Sequence, residues 1–251
     1  MRAYWTLVRR ELGGHFVSWT GFIVMAVVLF LLGLCFLNLL QALNGQPSDR
    51  PVTELFFSTF YFWAILLLAS PVITMRSFAQ EKSSGTFETL MTAPVSDLQV
   101  VLAKFSGALI FYCLIWLPLL GCILIVHHFS REQLALDPAT LASTFLGIFL
   151  LGALYMALGC FASAISRSQI IAAIVSGALG LSLFLLSFLA YTYSGSRESG
   201  PAQLFTHLGL IEHLKDFAAG VVDTRPIVLY CSLTIYFLYL TLKVIESRRW
   251  T

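Results

Sequence analysis

The chain has 251 residues, of which 58% are hydrophobic and 11% are charged, and its formal net charge is +2. A soluble globular domain carries about 25% charged residues. This composition excludes a water-soluble fold and predicts an integral membrane protein.

The charged residues form clusters, and the stretches between the clusters are long. Asp, Glu, Lys and Arg are absent from six runs, namely 12–48, 55–75, 105–130, 138–166, 168–196 and 226–242. A helix needs about 20 apolar residues to cross a bilayer core of about 30 Å; five runs reach that length and the last is slightly short. Because backbone polar groups in lipid must find partners within their own segment, we predict one all-α membrane domain over 1–251 with six transmembrane helices.

The segment 2–12 precedes the first span and mixes charged with apolar side chains at helical spacing. Its charged members include Arg9, Arg10 and Glu11, and its apolar members are Tyr4, Trp5, Val8 and Leu12. Such a segment is typical of an amphipathic helix that lies in the membrane interface. The six spans then follow at 17–40, 55–75, 100–126, 139–165, 170–193 and 227–245, and the short turn 166–169 makes spans four and five antiparallel neighbours.

Six spans place both termini on one side of the membrane. Ten of the 15 Lys and Arg residues fall on that side and five on the other. The positive-inside rule therefore predicts that both termini are cytoplasmic. It also places the stretch 76–99 in the cytoplasm and the segment 194–225 outside.

The stretch 76–99 contains the polar sequence EKSSGTFETLMTAP at 81–94. Gly85 is a break point for a helix, and Thr86 can cap a new one, with Glu88 in its first turn. Pro94 ends that helix after two turns. Ser96-Asp97-Leu98-Gln99 is a capping-box pattern that starts the helix of the third span.

One face of this short helix is apolar, because Phe87, Leu90 and Met91 stand at helical spacing. Such a face fits a groove on another protein, or it packs on its own bundle or on lipid headgroups. The nearby carboxylates of Glu81 and Glu88 would set the register of such a contact; the alternative is that they are solvated surface charges.

The outer segment 194–225 also predicts an amphipathic helix that is too short and too charged to span. The pattern Ser199-Gly200-Pro201 is a helix start, and Gly220 marks the end. The apolar positions recur every three or four residues at Leu204, Leu208, Ile211, Leu214, Phe217 and Val221. The helix is either a cap on an outward gate, carried by Leu208, Ile211, Leu214 and Phe217, or a simple surface anchor before span six.

No phosphate loop of the form GxxxxGK[ST] occurs, so this chain is not expected to hydrolyse ATP. We predict no catalytic residue and no metal ligand in it. The charge-free runs hold no ionisable side chains beyond histidines at their ends, whereas ion pathways place such groups inside the membrane. An intramembrane enzyme or a channel that is not coupled to ATP remains the alternative.

The sequence RSFAQEKSSGTFETLMTAPVS at 76–96 resembles the signature of ABC-2-type transporter permeases, and in particular their GldF-like branch. The stretches VRREL at 8–12 and LIEHLKDFAAGVVDTR at 210–225 resemble the same branch. The resemblance implies an ABC-2 (ABCG-like) permease fold in a bacterial inner membrane, with the segment 2–12 as the interfacial connecting helix and a re-entrant or interfacial helix before the last span.

The resemblance also implies a division of labour between subunits. A separate cytoplasmic ATPase would carry ATP and Mg²⁺, so this chain would bind no cofactor, and its work would be export or mechanical transduction. The ATPase would seat the helix around 86–92 as a coupling helix, through Glu81, Gly85, Thr86, Phe87, Glu88, Leu90, Met91 and Pro94. The other implied partners are a second permease subunit, a possible subunit with an extracytoplasmic domain and membrane lipid, with no nucleic acid.

Overall fold

The computed structural model describes residues 2–43, 52–57, 59–87, 95–129, 137–193 and 209–247. Within these ranges the chain forms helices joined by short turns. We number them α1 Arg2–Val17, α2 Trp19–Leu43, α3 Val52–Phe57, α4 Phe60–Thr74, α5 Ala79–Ser84, α6 Asp97–Ile115, α7 Leu117–Phe129, α8 Pro138–Ile165, α9 Gln169–Tyr193, α10 Leu210–Ala218 and α11 Thr224–Ser247.

Six stretches of these helices are long and apolar enough to cross a membrane. They are Trp19–Gln41, Phe60–Ser84, Asp97–Val126, Pro138–Ile165, Gln169–Leu189 and Thr224–Ser247. The prediction of an all-α fold with six transmembrane helices is confirmed, and each predicted span overlaps one of these stretches.

The first helix is longer than the predicted segment 2–12 and continues to Val17. Ser18 separates it from α2, and the Ser18 hydroxyl accepts a hydrogen bond from the backbone N–H of Gly21 at 3.1 Å. The first span therefore begins at Trp19 rather than at residue 17. A hydroxyl that bonds to nearby backbone groups competes with a continuous helix, which explains the break.

The second and third spans are interrupted, whereas the sequence predicts continuous helices. Thr59 has an extended backbone between α3 and α4, and its hydroxyl donates to the carbonyl of Phe56 at 2.6 Å. Trp116 separates α6 from α7 and is fully buried. Its ring lies 5.3 Å from that of Phe62. Aromatic packing between the two breaks thus holds these spans together at this depth.

The central helix of the bundle is α8, where every residue from 150 to 160 is buried. It contacts α4, α6, α9, α10 and α11. A methyl group at Gly152 would overlap the ring of Tyr112, and one at Gly159 would overlap the side chain of Thr74. Small residues let helix backbones approach closely in a membrane, and these two glycines admit α6 and α4.

Spans four and five are neighbours, as the short turn between them predicts. The hydroxyl of Tyr155 on α8 donates to the carbonyl of Gly180 on α9 at 3.1 Å. A Cβ on Gly180 would stand 3.0 Å from the Tyr155 ring. Gly180 therefore lies in the contact between the two helices.

The capping box predicted at the start of the third span is confirmed. The Ser96 hydroxyl accepts from the backbone N–H of Gln99 at 3.3 Å, and the Gln99 side chain accepts from the backbone N–H of Ser96 at 3.4 Å. This reciprocal pair satisfies two backbone donors at a helix start. It determines that α6 begins at Asp97.

Candidate functional site

The turn after the second span is bound to the end of α8 by one hydroxyl group. Ser163 accepts hydrogen bonds from the backbone N–H groups of Phe78 at 3.0 Å and Ala79 at 3.1 Å. The same hydroxyl donates to the carbonyl of Met75 at 3.1 Å. Span four thereby satisfies backbone groups of the α4–α5 turn that are buried, and the two elements are held together.

An ion cluster, formed by Arg10, Glu11, Glu81 and Lys104, lies beside this turn. The ammonium group of Lys104 stands 2.8 Å from Glu81 Oε1 and 3.1 Å from Glu11 Oε1. Arg10 Nη2 reaches the same two carboxylate atoms at 3.3 Å and 3.2 Å. The cluster therefore connects the N-terminal helix, the segment before Gly85 and the third span.

The cluster is largely removed from water. The side chain of Lys104 is 3% exposed and those of the two glutamates are each 17% exposed. The ammonium group also lies 5.3 Å from the centre of the Phe78 ring. Charges in such a place are kept only where partners satisfy them, so the two carboxylates and the ammonium group depend on one another.

The same surroundings change the protonation of groups on α1. Burial by itself would raise the pKa of Glu11, but the nearby charges and hydrogen bonds of Lys104 and Arg10 outweigh it and lower that pKa. Burial lowers the pKa of His15, and the cations Lys104 and Arg76 act in the same direction against the opposing charge of Glu11. Glu11 is therefore ionised near neutral pH and His15 is neutral.

The N-terminal helix lies along the third span, which the sequence did not predict. The Tyr4 hydroxyl is 2.8 Å from Ser106 Oγ, and the ring of His15 stacks on that of Phe111 at 5.1 Å. A Cβ on Gly107 would stand 2.9 Å from the Cβ of Glu11. Arg9, which is exposed, takes no part in the ion cluster, whereas Arg10 and Glu11 do.

Lys82 makes a second connection to span four. Its ammonium group donates to the carbonyl of Ala164 at the C-terminal end of α8 and lies 5.4 Å from the Phe87 ring. A cation at this position is favourable because the carbonyl end of a helix carries partial negative charge. Phe87 is half-buried and packs against a cluster that includes Phe78, so its ring faces its own chain as well as the surface.

The break predicted at Gly85 is present, because Gly85 ends α5 with φ at 72°. The chain is helical again at Thr86 and Phe87. Thr86 is thus already a helical residue and is not the capping residue that the sequence predicts. Its hydroxyl lies 2.8 Å from that of Ser84. The predictions for Glu88, Leu90, Met91 and Pro94 fall outside the described residues.

Replacing Gly85 with alanine is expected to destabilise the protein by about 1 kcal/mol, because a side chain at positive φ is strained. Open space surrounds the position, so no steric clash contributes. Thermal unfolding in detergent measures the change. Gly85→Asn is the matched control and should cost less, since asparagine tolerates the left-handed conformation better; equal losses would contradict the role of the backbone angle.

At the opposite end of α8 lies the helix predicted for the outer segment. It begins at Leu210, because Gly209 is not helical, so the prediction of one unbroken helix from 199–201 to Gly220 is wrong. Leu214 and Phe217 are buried, and Ile211 is half-buried. Gly220 ends it with φ at 85°, as predicted. Val221 lies beyond the helix and is exposed, so its predicted place on the apolar face is wrong. The predictions for 194–208, including Leu208, lie outside the described residues.

The last carbonyl groups of helix α10 accept hydrogen bonds from neighbouring helices of the bundle. Ser143 on α8 donates to the carbonyl of Phe217 at 2.6 Å, and Thr53 on α3 donates to that of Ala218 at 2.7 Å. The Phe217 side chain lies where a Cβ on Gly147 would be 3.1 Å away. These bonds satisfy carbonyls that a helix end leaves unpaired. The helix is thus packed against α3, α8 and α9 instead of lying free on a surface.

Lys104 is a residue of the site that the sequence did not predict. It is the last charged residue before the run 105–130, and it stands two helical turns after Asp97, inside a helix whose start the capping box places. A single charge two turns into a membrane helix requires a partner. The position of Lys104 in the sequence therefore indicates that it has a partner, but it does not identify Glu11 or Glu81 as that partner.

The chain matches a model of a protein family. The model for the ABC-2 family transporter protein matches residues 41–211, which is more than half of the chain. No match to a curated protein was found. The matched region contains spans two to five and helix α5, which carries Glu81 and Lys82. The chain therefore belongs to the ABC-2 family and is a multi-pass permease component of an ABC transporter.

Proposed function

We propose that the chain couples ATP hydrolysis by a separate cytoplasmic subunit to export, or to the transmission of force, across a bacterial inner membrane. Both termini and the stretch 76–99 would face that ATPase, which would hold ATP and Mg²⁺. A second permease subunit, identical or related, would complete the pathway. A GldF-like assignment, with a further subunit that has an extracytoplasmic domain, is part of this proposal.

The observation that carries the proposal is the ion cluster. It joins the segment before Gly85 to α1 and α6, while Lys82 and Ser163 join the same segment to α8. A displacement applied to residues 86–94 would therefore move three packed elements together. Rigid elements linked by buried polar contacts are a physical means of carrying such coupling.

The two parts of the stretch would have different roles. Residues Gly85, Thr86, Phe87, Glu88, Leu90, Met91 and Pro94 would form the contact with the ATPase. Glu81 would act inside the permease, because its Oε1 atom is engaged by Lys104 and Arg10.

At the opposite end of α8, helix α10 would be part of an outward gate that opens when spans three and four move. The buried residues Leu214 and Phe217, together with Ile211, would form this part of the gate.

The test is a co-purification with the ATPase encoded beside this chain, followed by measurement of ATP hydrolysis. We expect the ATPase to bind the wild type and the Glu81→Gln variant alike. We also expect the variant complex to differ from the wild type by about tenfold in its permease-dependent hydrolysis rate, because a buried charged partner is worth roughly 1.5–3 kcal/mol. Glu246→Gln, which alters an exposed pair with Lys243, is the matched control.

Two results would count against the proposal, and they are distinguishable. Failure of any ATPase to bind the wild type would remove the assignment as an ATPase-coupled permease. Alternatively, the ATPase could bind with the same hydrolysis rate in wild type, Glu81→Gln and Glu246→Gln. That result would support the docking but would show that the ion cluster does not carry the coupling between the ATPase and the permease.

A further inference from the structure

A half-open cleft of about 770 Å³ lies between α1, the α4–α5 turn and the start of α6. Its lining consists of polar or charged side chains and one glycine. The charged members are Arg10, Glu11, Arg76, Glu81 and Lys104. A cleft of this volume falls in the range of small-molecule sites, but its lining differs from an ordinary ligand pocket because apolar side chains do not contribute.

The positive charge of Arg76 is the part of this lining that the ion cluster does not use. Arg10 and Lys104 both pair with Glu11 and Glu81. Arg76 makes no ion pair within the described part of the chain, and its buried Nε–H finds no hydrogen-bond acceptor there. A buried donor without an acceptor costs free energy. Because Arg76 lines the cleft, an anionic oxygen that enters it would give this guanidinium group the charged partner that it lacks among the described residues.

Glu81, which lines the same cleft, carries an unsatisfied acceptor. Glu81 Oε1 receives Lys104 and Arg10, but Glu81 Oε2 is buried and has no donor among the described residues. A simple anion would pair with Arg76 but would leave this oxygen atom of Glu81 unsatisfied. A simple cation would be repelled by Arg76. A ligand with an anionic oxygen and an N–H donor suits both groups.

We propose that the cleft binds the phosphoethanolamine headgroup of a membrane phospholipid. The phosphate would pair with the guanidinium group of Arg76, and the ammonium group would donate to the carboxylate of Glu81. Next to Ser18, which lines the cleft, Val17 and Trp19 are 82% and 85% exposed. Tryptophan is enriched at the membrane interface, so these two side chains would lie against the same lipid.

The headgroup chemistry gives a direct test with the purified full-length chain in detergent, without any ATPase. Dioctanoyl phosphatidylethanolamine, phosphatidylcholine and phosphatidylglycerol are titrated separately, and bound lipid is counted by native mass spectrometry. We expect phosphatidylethanolamine to bind about tenfold more tightly than the other two, which corresponds to one charge-assisted hydrogen bond. Choline has no N–H to donate, and glycerol carries no positive charge.

Variants separate the two halves of the site. Arg76→Gln should remove the binding of all three lipids in the cleft, whereas Arg76→Lys should retain the preference for phosphatidylethanolamine. Arg9→Gln is the matched control, because it removes one charge from the exposed face of α1 outside the cleft. In Glu81→Gln the preference for phosphatidylethanolamine over phosphatidylglycerol should disappear, and this comparison remains available if Arg76→Gln does not fold.

Several outcomes would overturn the proposal. Equal binding of phosphatidylethanolamine and phosphatidylcholine by the wild type would exclude a role for the amine. Unchanged binding in Arg76→Gln would exclude this cleft. Competition by soluble O-phosphoethanolamine at the same concentration as the lipid would show that the headgroup chemistry is right but that a soluble metabolite, and not a membrane lipid, is the ligand.

Discussion

Replacing Lys104 with methionine is expected to destabilise the protein by about 3–5 kcal/mol, the range for removing one partner of a buried ion pair. Methionine preserves the length and the apolar stem of the side chain, so the change isolates the ammonium group. The carboxylates of Glu11 and Glu81 would then face each other with only the half-exposed Arg10 as a partner. Unfolding of the detergent-solubilised protein by heat or by a denaturing detergent measures the loss.

The pH dependence of this variant should have the opposite sign to that of the wild type. In the wild type the pKa of Glu11 is lowered from 4.5, so its stabilising contribution is complete above that value and is lost as the pH falls through the lower folded value. Without Lys104, burial would dominate and the folded pKa would exceed 4.5. Lowering the pH towards it would then recover stability.

The matched control is Lys243→Met, which removes a lysine from the exposed pair with Glu246. Surface ion pairs contribute little to stability, so this variant should unfold like the wild type at every pH. If both lysine variants lost the same amount, the burial of Lys104 would not be the cause. A Lys104→Met variant as stable as the wild type would contradict the ion cluster altogether.

Replacing Phe217 with alanine is expected to cost about 3–5 kcal/mol, as for other buried phenylalanine side chains. The ring is 1% exposed and fills the space above Gly147 on α8. The cavity would remain, because α10 is held in place by hydrogen bonds from Thr53 and Ser143 to its carbonyl groups. Thermal unfolding measures the cost, and labelling of a cysteine placed at Leu214 measures the opening of α10.

Val221→Ala is the control for this experiment, because Val221 is close in sequence but exposed. It should alter neither the unfolding temperature nor the labelling of the buried position. If Phe217→Ala were as stable as Val221→Ala, α10 would be a surface element and its proposed part in an outward gate would fail. Increased labelling at Leu214 while the six spans stay folded would support the proposed role of α10 in an outward gate.

Several features of the fold could be predicted because they depend on neighbouring residues only. The long charge-free runs predict six spans, since the length and apolar character of a segment decide whether it crosses a bilayer. Gly85 and Gly220 adopt positive φ because glycine does so without strain. The capping box at Ser96 and Gln99 closes within four residues. Each of these is local chemistry that the order of residues already contains.

The candidate site depends on contacts that local patterns do not contain. Lys104 binds Glu11, which is 93 residues away in the sequence, and Glu81, which is 23 residues away. The spacing of the two glutamates does not identify Lys104 as their partner. In a membrane helix the lipid-facing and the buried sides are both apolar, so the pattern of side chains does not show which side meets protein. The burial of Lys104 and α10, and the docking of α1 on the third span, were therefore decided by how the helices pack, because only packing brings those distant groups together.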